Sequence, residues 1–269
     1  MQWIRQNGME CLQFPSLARL PMVFHGIFPR NITNSVGQGT SLNTGLRCGE
    51  PDQAVWQNRI KIRDSFGNGP MVFARQVHGA AVALWCATTP GIEDKEDHVY
   101  LNGDALATDR ANHALFIQVA DCQPVLIVDP VQQAVANVHS GWRGSIQNII
   151  GSTIQKMAAA FGSQAKDLVC GIGPSLGPCC AEFINYRREI PARFWSYRLA
   201  NNHFDFWRIS LDQLMAAGVS LQNISLSGIC TRCNQHLFFS YRGQRPTGRF
   251  AAVIGLRSHP VAKNKAGDL

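Results

Sequence analysis

From residue 117 to 144 the sequence IQVADCQPVLIVDPVQQAVANVHSGWRG has the pattern of two strands joined by a tight turn, then a glycine-bracketed loop that opens a helix. Residues 124–129 form a β-branched apolar run, and 134–139 an alternating one. Between them, Asp129-Pro130-Val131-Gln132 places Asp and Pro at the first two positions of a type I turn. If Asp129 faces Ala134, then Pro124 faces His139. Cys122, two residues before Pro124, then leaves the sheet on the same face as His139. Diagonal neighbours of this kind lie about 7–8 Å apart at the backbone, close enough for thiolate and imidazole to converge on one atom. A one-residue slip would separate them onto opposite faces, so the prediction depends on register.

Elsewhere the pattern predicts an edge strand and loop over 1–22, and a long polar loop over 25–43 (HGIFPRNITNSVGQGTSLN). A helix is expected over 52–66, followed by strands at 72–77 and 80–86 and an acidic loop over 89–103. The helix over 145–161 has Ile146, Ile149, Ile150, Ile154, Met157 and Phe161 at three- and four-residue intervals. Ser145 can cap its start and Gly162 its end. Further strands are predicted at 168–173, 224–230, 237–241 and 250–256, with a helix near 212–217 and a polar, frayed tail over 258–269. Neighbouring strands joined by short turns argue against a doubly wound parallel sheet and favour mixed sheets with helices outside.

Composition narrows the class. With 45% hydrophobic and 16% charged residues the chain is globular. No apolar run reaches the roughly 20 residues needed to span a bilayer. The first residues show no secretory h-region, and the nine cysteines read as reduced thiols or metal ligands, so a cytoplasmic location is expected. The net charge of +7 comes from Lys and Arg scattered singly, without a basic stripe or an aromatic-interleaved motif. It suits a small anion such as phosphate better than nucleic acid. Oligomeric state is left open, and a monomer is compatible with the sequence.

His78 stands at a strand end beside Gly79. With Cys122 and His139 it offers two imidazoles and one thiolate, a set suited to zinc with one coordination position left open. The plain alternatives are two histidines satisfying strand-end hydrogen bonds, or a Cys-His nucleophile pair without metal. Downstream, Ser140-Gly141-Trp142-Arg143-Gly144 exposes backbone N–H groups before a helix, and Arg143 can add a bidentate phosphate contact. Asn43 and Arg59 either face the same cleft or cap local structure. Asp104 or Asp121 can orient an imidazole and fix its tautomer. Cys230-Thr231-Arg232-Cys233 is a lone C-x-x-C that reads as buried, inert thiols, and Cys179-Cys180 reads as packing.

The motifs RQVHG, GDALAT, ADCQPVLIVDP, VHSGWRG, GPSLGPCC, CTRC and FFSYRG…TGRFAAVIGL occur in an order that resembles the bacterial family formerly called laccase-domain or polyphenol oxidase proteins. That family is now described as multifunctional purine nucleoside phosphorylases and includes the mammalian laccase-domain-containing protein. The resemblance spans roughly residues 23–257 and implies a single α+β domain over 1–257, with two mixed sheets packed together and helices outside in α/β/β/α layers. It implies zinc on His78, Cys122 and His139, and purine nucleosides and phosphate as partners. The implied reactions are phosphorolysis of adenosine, inosine, guanosine and methylthioadenosine, plus adenosine deamination. Two rival readings are a copper-dependent polyphenol oxidase and a Cys122-based amidase editing cell-wall precursors. Laccase chemistry needs several coppers, and more histidines than the eight present.

Overall fold

The computed structural model describes residues 1–33, 39–86 and 97–258. The strands of its first half are β1 (Gln2–Gln6), β2 (Met9–Gln13), β3 (Val23–Phe28), β4 (Asn31–Thr33), β5 (Gly39–Ser41), β6 (Met71–Arg75) and β7 (Val82–Leu84). Then come β8 (His98–Asn102), β9 (Ala105–Thr108), β10 (Ala114–Val119), β11 (Gln123–Asp129) and β12 (Ala134–Ser140). The last are β13 (Val169–Ile172), β14 (Ile224–Leu226) and β15 (Phe250–Leu256). Helices are α1 (Pro15–Ala18), α2 (Asp52–Asp64), α3 (Trp142–Ile146), α4 (Ile149–Phe161), α5 (Tyr186–Glu189) and α6 (Phe206–Ala216).

Two mixed sheets carry the fold. One runs β1-β2-β3-β15-β10-β6-β8 and the other β14-β13-β11-β12-β9-β7. Leu115, Ile117 and Ile254 of the first sheet pack against Leu126, Val128 and Val135 of the second. The alternate positions of β11, Val125 and Ile127, face outward and meet Ile150, Ile154 and Met157 of α4. A strand apolar on both faces is what burial on both sides requires. Each of those α4 side chains contributes about 1.5–3 kcal/mol by leaving water. On the far side, Phe73 and Phe116 pack with Ile62 of α2, which closes the α/β/β/α layering. Between the sheets, Asn137 Nδ2 donates to the carbonyls of Leu115 and Ala252, each at 2.9 Å, a polar tie through an apolar interface.

The β11–β12 register is the expected one, with Asp129 against Ala134 and Pro124 against His139. Other expectations need correction. Residues 25–28 are not loop but the end of β3, buried on both faces, where burial hides the alternation that marks a strand. The helix expected over 145–161 is broken at Asn148. That residue takes a left-handed backbone (φ 58°) and accepts the Gly151 N–H, so Asn148, not Ser145, caps the long helix. Residues 237–241 are not a strand; Phe238 and Phe239 are buried because they plug the inter-sheet core from a turn. The helix near 212–217 begins earlier, at Phe206, with Asp205 as its cap. The predicted acidic loop ends in strand β8. Its residues 89–96 and the tail 259–269 lie outside the described residues.

Candidate active site

The end of β12 delivers His139, the turn before β11 delivers Cys122, and the turn after β6 delivers His78. One ligand atom from each lies within 4.8 Å of the others. The two imidazoles cross edge to face with centroids 4.8 Å apart. His139 is buried, Cys122 half-buried and His78 exposed, so the cluster opens on one side. Gly141 completes the cradle: a Cβ there would stand 3.1 Å from Cys122 Sγ and 3.2 Å from the His78 ring.

Asp104 organises both histidines. Its Oδ1 accepts from His139 Nδ1 at 2.8 Å and from the His78 N–H at 2.9 Å. Its Oδ2 accepts the N–H groups of Gly79 at 2.7 Å and Val77 at 3.2 Å. This nest holds His78 in a left-handed backbone (φ 63°), a conformation that is costly for a residue with a Cβ. Because Nδ1 of His139 is engaged, Nε2 is left to face Cys122. Burial pushes the Asp104 carboxyl up, but the His139 bond and the backbone donors outweigh it and hold it below the usual range. Burial likewise raises the Cys122 thiol, yet the facing imidazoles of His139 and His78 bring it down to about 6. Burial lowers His139, while the Cys122 thiolate and Asp104 lift it to about 9. A thiolate and two imidazoles converging with one side open fit a tetrahedral zinc ion with a free position.

The cluster lies in the wall of a cavity of about 1030 Å³, which also carries Trp142, Leu176, Phe183 and Tyr241 as apolar faces. Arg59, Arg143, Arg242, Arg245 and Arg249 line the same cavity. Arg143 is exposed, and its guanidinium lies 4.2 Å over the Trp142 ring. The helix that carries it, α3, is a single short turn, so Arg143 and not a helix dipole supplies the positive charge there. Arg59 reaches the cavity but is only 1% exposed. It donates to Thr44 O at 2.9 Å and Tyr100 OH at 2.6 Å, between the rings of Trp56 and Phe73.

Two expected site residues act elsewhere. Asn43 is fully buried and does not face the cavity. Its Oδ1 accepts the N–H groups of Gly45 and Arg249, fixing two residues that do line it. Asp121 does not orient an imidazole. Its backbone is left-handed (φ 88°), and its carboxylate meets the 231–242 loops, accepting from Thr231 Oγ1 at 2.6 Å, Ser240 Oγ at 2.7 Å and Arg242 N at 2.6 Å. Sequence reading missed Arg242, Arg245 and Arg249. Their clustering within eight residues beside Tyr241 was the available signal. It also separated four cysteines, 179, 180, 230 and 233, that the fold brings together.

The family model described as multi-copper polyphenol oxidoreductase laccase matches residues 24–257. The chain is 32% identical to the purine nucleoside phosphorylase YlmD of Bacillus subtilis, with 81% of this chain and 82% of that one aligned. It is 31% identical to a purine nucleoside phosphorylase of Deinococcus radiodurans, with 97% of each covered. The crystal structure of YlmD from Geobacillus stearothermophilus superposes with a TM-score of 0.77 at 30% identity, covering 96% of this chain and 97% of that one.

Proposed function

The chain belongs to the multi-copper polyphenol oxidoreductase laccase family, and from that premise we propose that it is a zinc-dependent purine nucleoside phosphorylase. Its substrates in this reading are adenosine, inosine, guanosine and methylthioadenosine, with adenosine deamination as a side activity. The relatives named as purine nucleoside phosphorylases support the reaction class. The observation that carries the reading is the convergence of His78, Cys122 and His139 in an arginine-lined cavity large enough for a nucleoside and phosphate together. No helix among the described residues is long and apolar enough to cross a membrane. A reducing, cytoplasmic setting would keep the nine cysteines as thiols.

Zinc held by the three side chains would supply a Lewis acid that polarises oxygen groups and acidifies water. The protein's own residues do the rest. Arg143, braced on Trp142, takes the phosphate, and Arg242, Arg245 and Arg249 add positive field around it. Arg59 contributes a fixed charge from the wall. Trp142, Phe183 and Tyr241 offer rings and apolar surface to the purine and displace water from it. A phosphate oxygen bonds to the anomeric carbon as the bond to the purine nitrogen breaks. The bond pair leaves on the purine, which takes a proton, and the ribosyl group passes through an oxocarbenium-like state. Asp104 keeps the His139 proton on Nδ1 and both imidazoles in place throughout.

One observation favours a second reading. Cys122, His139 and Asp104 stand in the order of nucleophile, base and orienting carboxylate, as a metal-free cysteine amidase would need. His78 has no task in that scheme, which weighs for metal. The test is zinc removal with a chelator followed by re-addition, with hypoxanthine release from inosine as readout. Release that needs both zinc and phosphate supports the phosphorylase. Full turnover without metal, or phenol oxidation on copper loading, would refute it.

A further inference from the structure

Two loops that are fifty residues apart in sequence meet at four cysteines. Cys179 and Cys180 lie in the turn after Gly177, where the Cys180 N–H donates to Gly177 O at 2.9 Å. This turn lets adjacent side chains face the same side, which an extended strand would forbid. Cys230 and Cys233 bracket a second turn, closed by the Asn234 N–H on Cys230 O at 3.1 Å. All four Sγ atoms lie within 4.8 Å of one another. Cys233 Sγ is 3.6 Å from both Cys179 Sγ and Cys180 Sγ. A tetrahedral zinc with Zn–S bonds of about 2.3 Å requires S···S separations of about 3.8 Å, close to what the thiols already show. Spacings this short leave no room for a multi-iron cluster. A disulfide would use only two of the four sulfurs and leave the others crowded against it.

We propose that Cys179, Cys180, Cys230 and Cys233 bind a second, structural zinc ion, separate from the His78/Cys122/His139 site. The Gly177 N–H already donates to Cys230 Sγ at 3.3 Å, the kind of bond that stabilises a thiolate ligand. The ion staples the cavity wall. Leu176 and Phe183 come from one stapled loop and Tyr241 and Arg242 from the other, and all four line the cavity. Arg242 reinforces the joint by donating to the carbonyls of Glu182 at 2.9 Å and Cys180 at 3.3 Å. Asp121, next to Cys122, receives Thr231 and Ser240 from the C-x-x-C side, while its own carbonyl accepts the Leu176 N–H at 2.8 Å. Loss of the ion would therefore loosen the substrate wall without removing a residue from the histidine site.

The proposal stands apart from the catalytic reading, and the experiment keeps them apart. Zinc per chain is measured on the purified wild type, on Cys122→Ala, and on the double variant Cys179→Ser/Cys233→Ser. The expected contents are about two, one and one. Because the double variant can fail to fold, Cys122→Ala protein is also alkylated with and without zinc, and the four cysteines are followed by peptide mass spectrometry. Zinc should slow their modification at least about tenfold. Absence of zinc from Cys122→Ala, equal alkylation in both conditions, or a disulfide among the four would overturn the assignment.

Discussion

Replacing Asp104 with Asn keeps the shape of the buried side chain but turns one acceptor oxygen into a donor. In the native site, each carboxylate oxygen accepts two bonds: Oδ1 from His139 and His78, Oδ2 from Gly79 and Val77. If the amide keeps its oxygen on the histidine side, its NH₂ faces the N–H groups of Gly79 and Val77. The 2.7 Å bond from Gly79 is the main loss. A buried donor left without an acceptor costs about 1–3 kcal/mol, and the remaining bonds lose their charge assistance, so about 2–4 kcal/mol is expected in all. At roughly 2–4 °C per kcal/mol for a chain of this size, the melting temperature should fall by about 4–16 °C. The left-handed His78 also loses its anchor, and His139 its enforced tautomer, so zinc affinity should drop about 10–100-fold. Thermal unfolding of metal-free protein and competition with a chromophoric chelator measure the two effects separately. Native-like melting together with native zinc affinity in Asp104→Asn would refute the role assigned to this carboxylate.

In metal-free protein, alkylation of Cys122 should reach half its plateau near pH 6, because the imidazoles favour the thiolate; in His139→Ala the midpoint should move up, towards the ordinary thiol value. Mass spectrometry of the Cys122 peptide reads it, and an unchanged midpoint would contradict the pairing. Arg143→Ala should raise the phosphate KM about 10–100-fold at unchanged melting temperature, whereas Arg59→Ala should lower stability by about 2 kcal/mol or more, since its bonds to Thr44 and Tyr100 are buried. Gly141→Ala meets no backbone strain but presses a methyl group on Cys122 and His78, so zinc should bind about tenfold more weakly by calorimetry while the metal-free fold keeps its melting temperature.

The histidine–cysteine hairpin was legible because β11 and β12 are local, their turn chemistry is explicit, and a period of two fixes which side chains share a face. Short turns between neighbouring strands pointed to mixed sheets with helices outside, whereas the α/β/β/α layering was an implication of the family resemblance. Other features were hidden for physical reasons. The break at Asn148 interrupts an otherwise continuous apolar stripe, and only its left-handed backbone shows that two helices meet there. Phe238 and Phe239 imitate a strand because a turn can fill a core as well as a strand can. Asn43 was a candidate to face the cleft and Asp121 to orient an imidazole, since polar residues in loops near a motif often serve the site directly; here both satisfy backbone N–H groups of the loops that form the cavity wall. The four cysteines were invisible as a set, because no local spacing reports the meeting of two distant loops.

Most direct of all is the fate of labelled inorganic phosphate incubated with inosine and zinc-loaded protein, compared with Cys122→Ala. Label should appear in ribose 1-phosphate in step with hypoxanthine release, and neither product should come from the variant. Hypoxanthine released without incorporation of label, or label incorporated equally by Cys122→Ala, would contradict the proposed reaction.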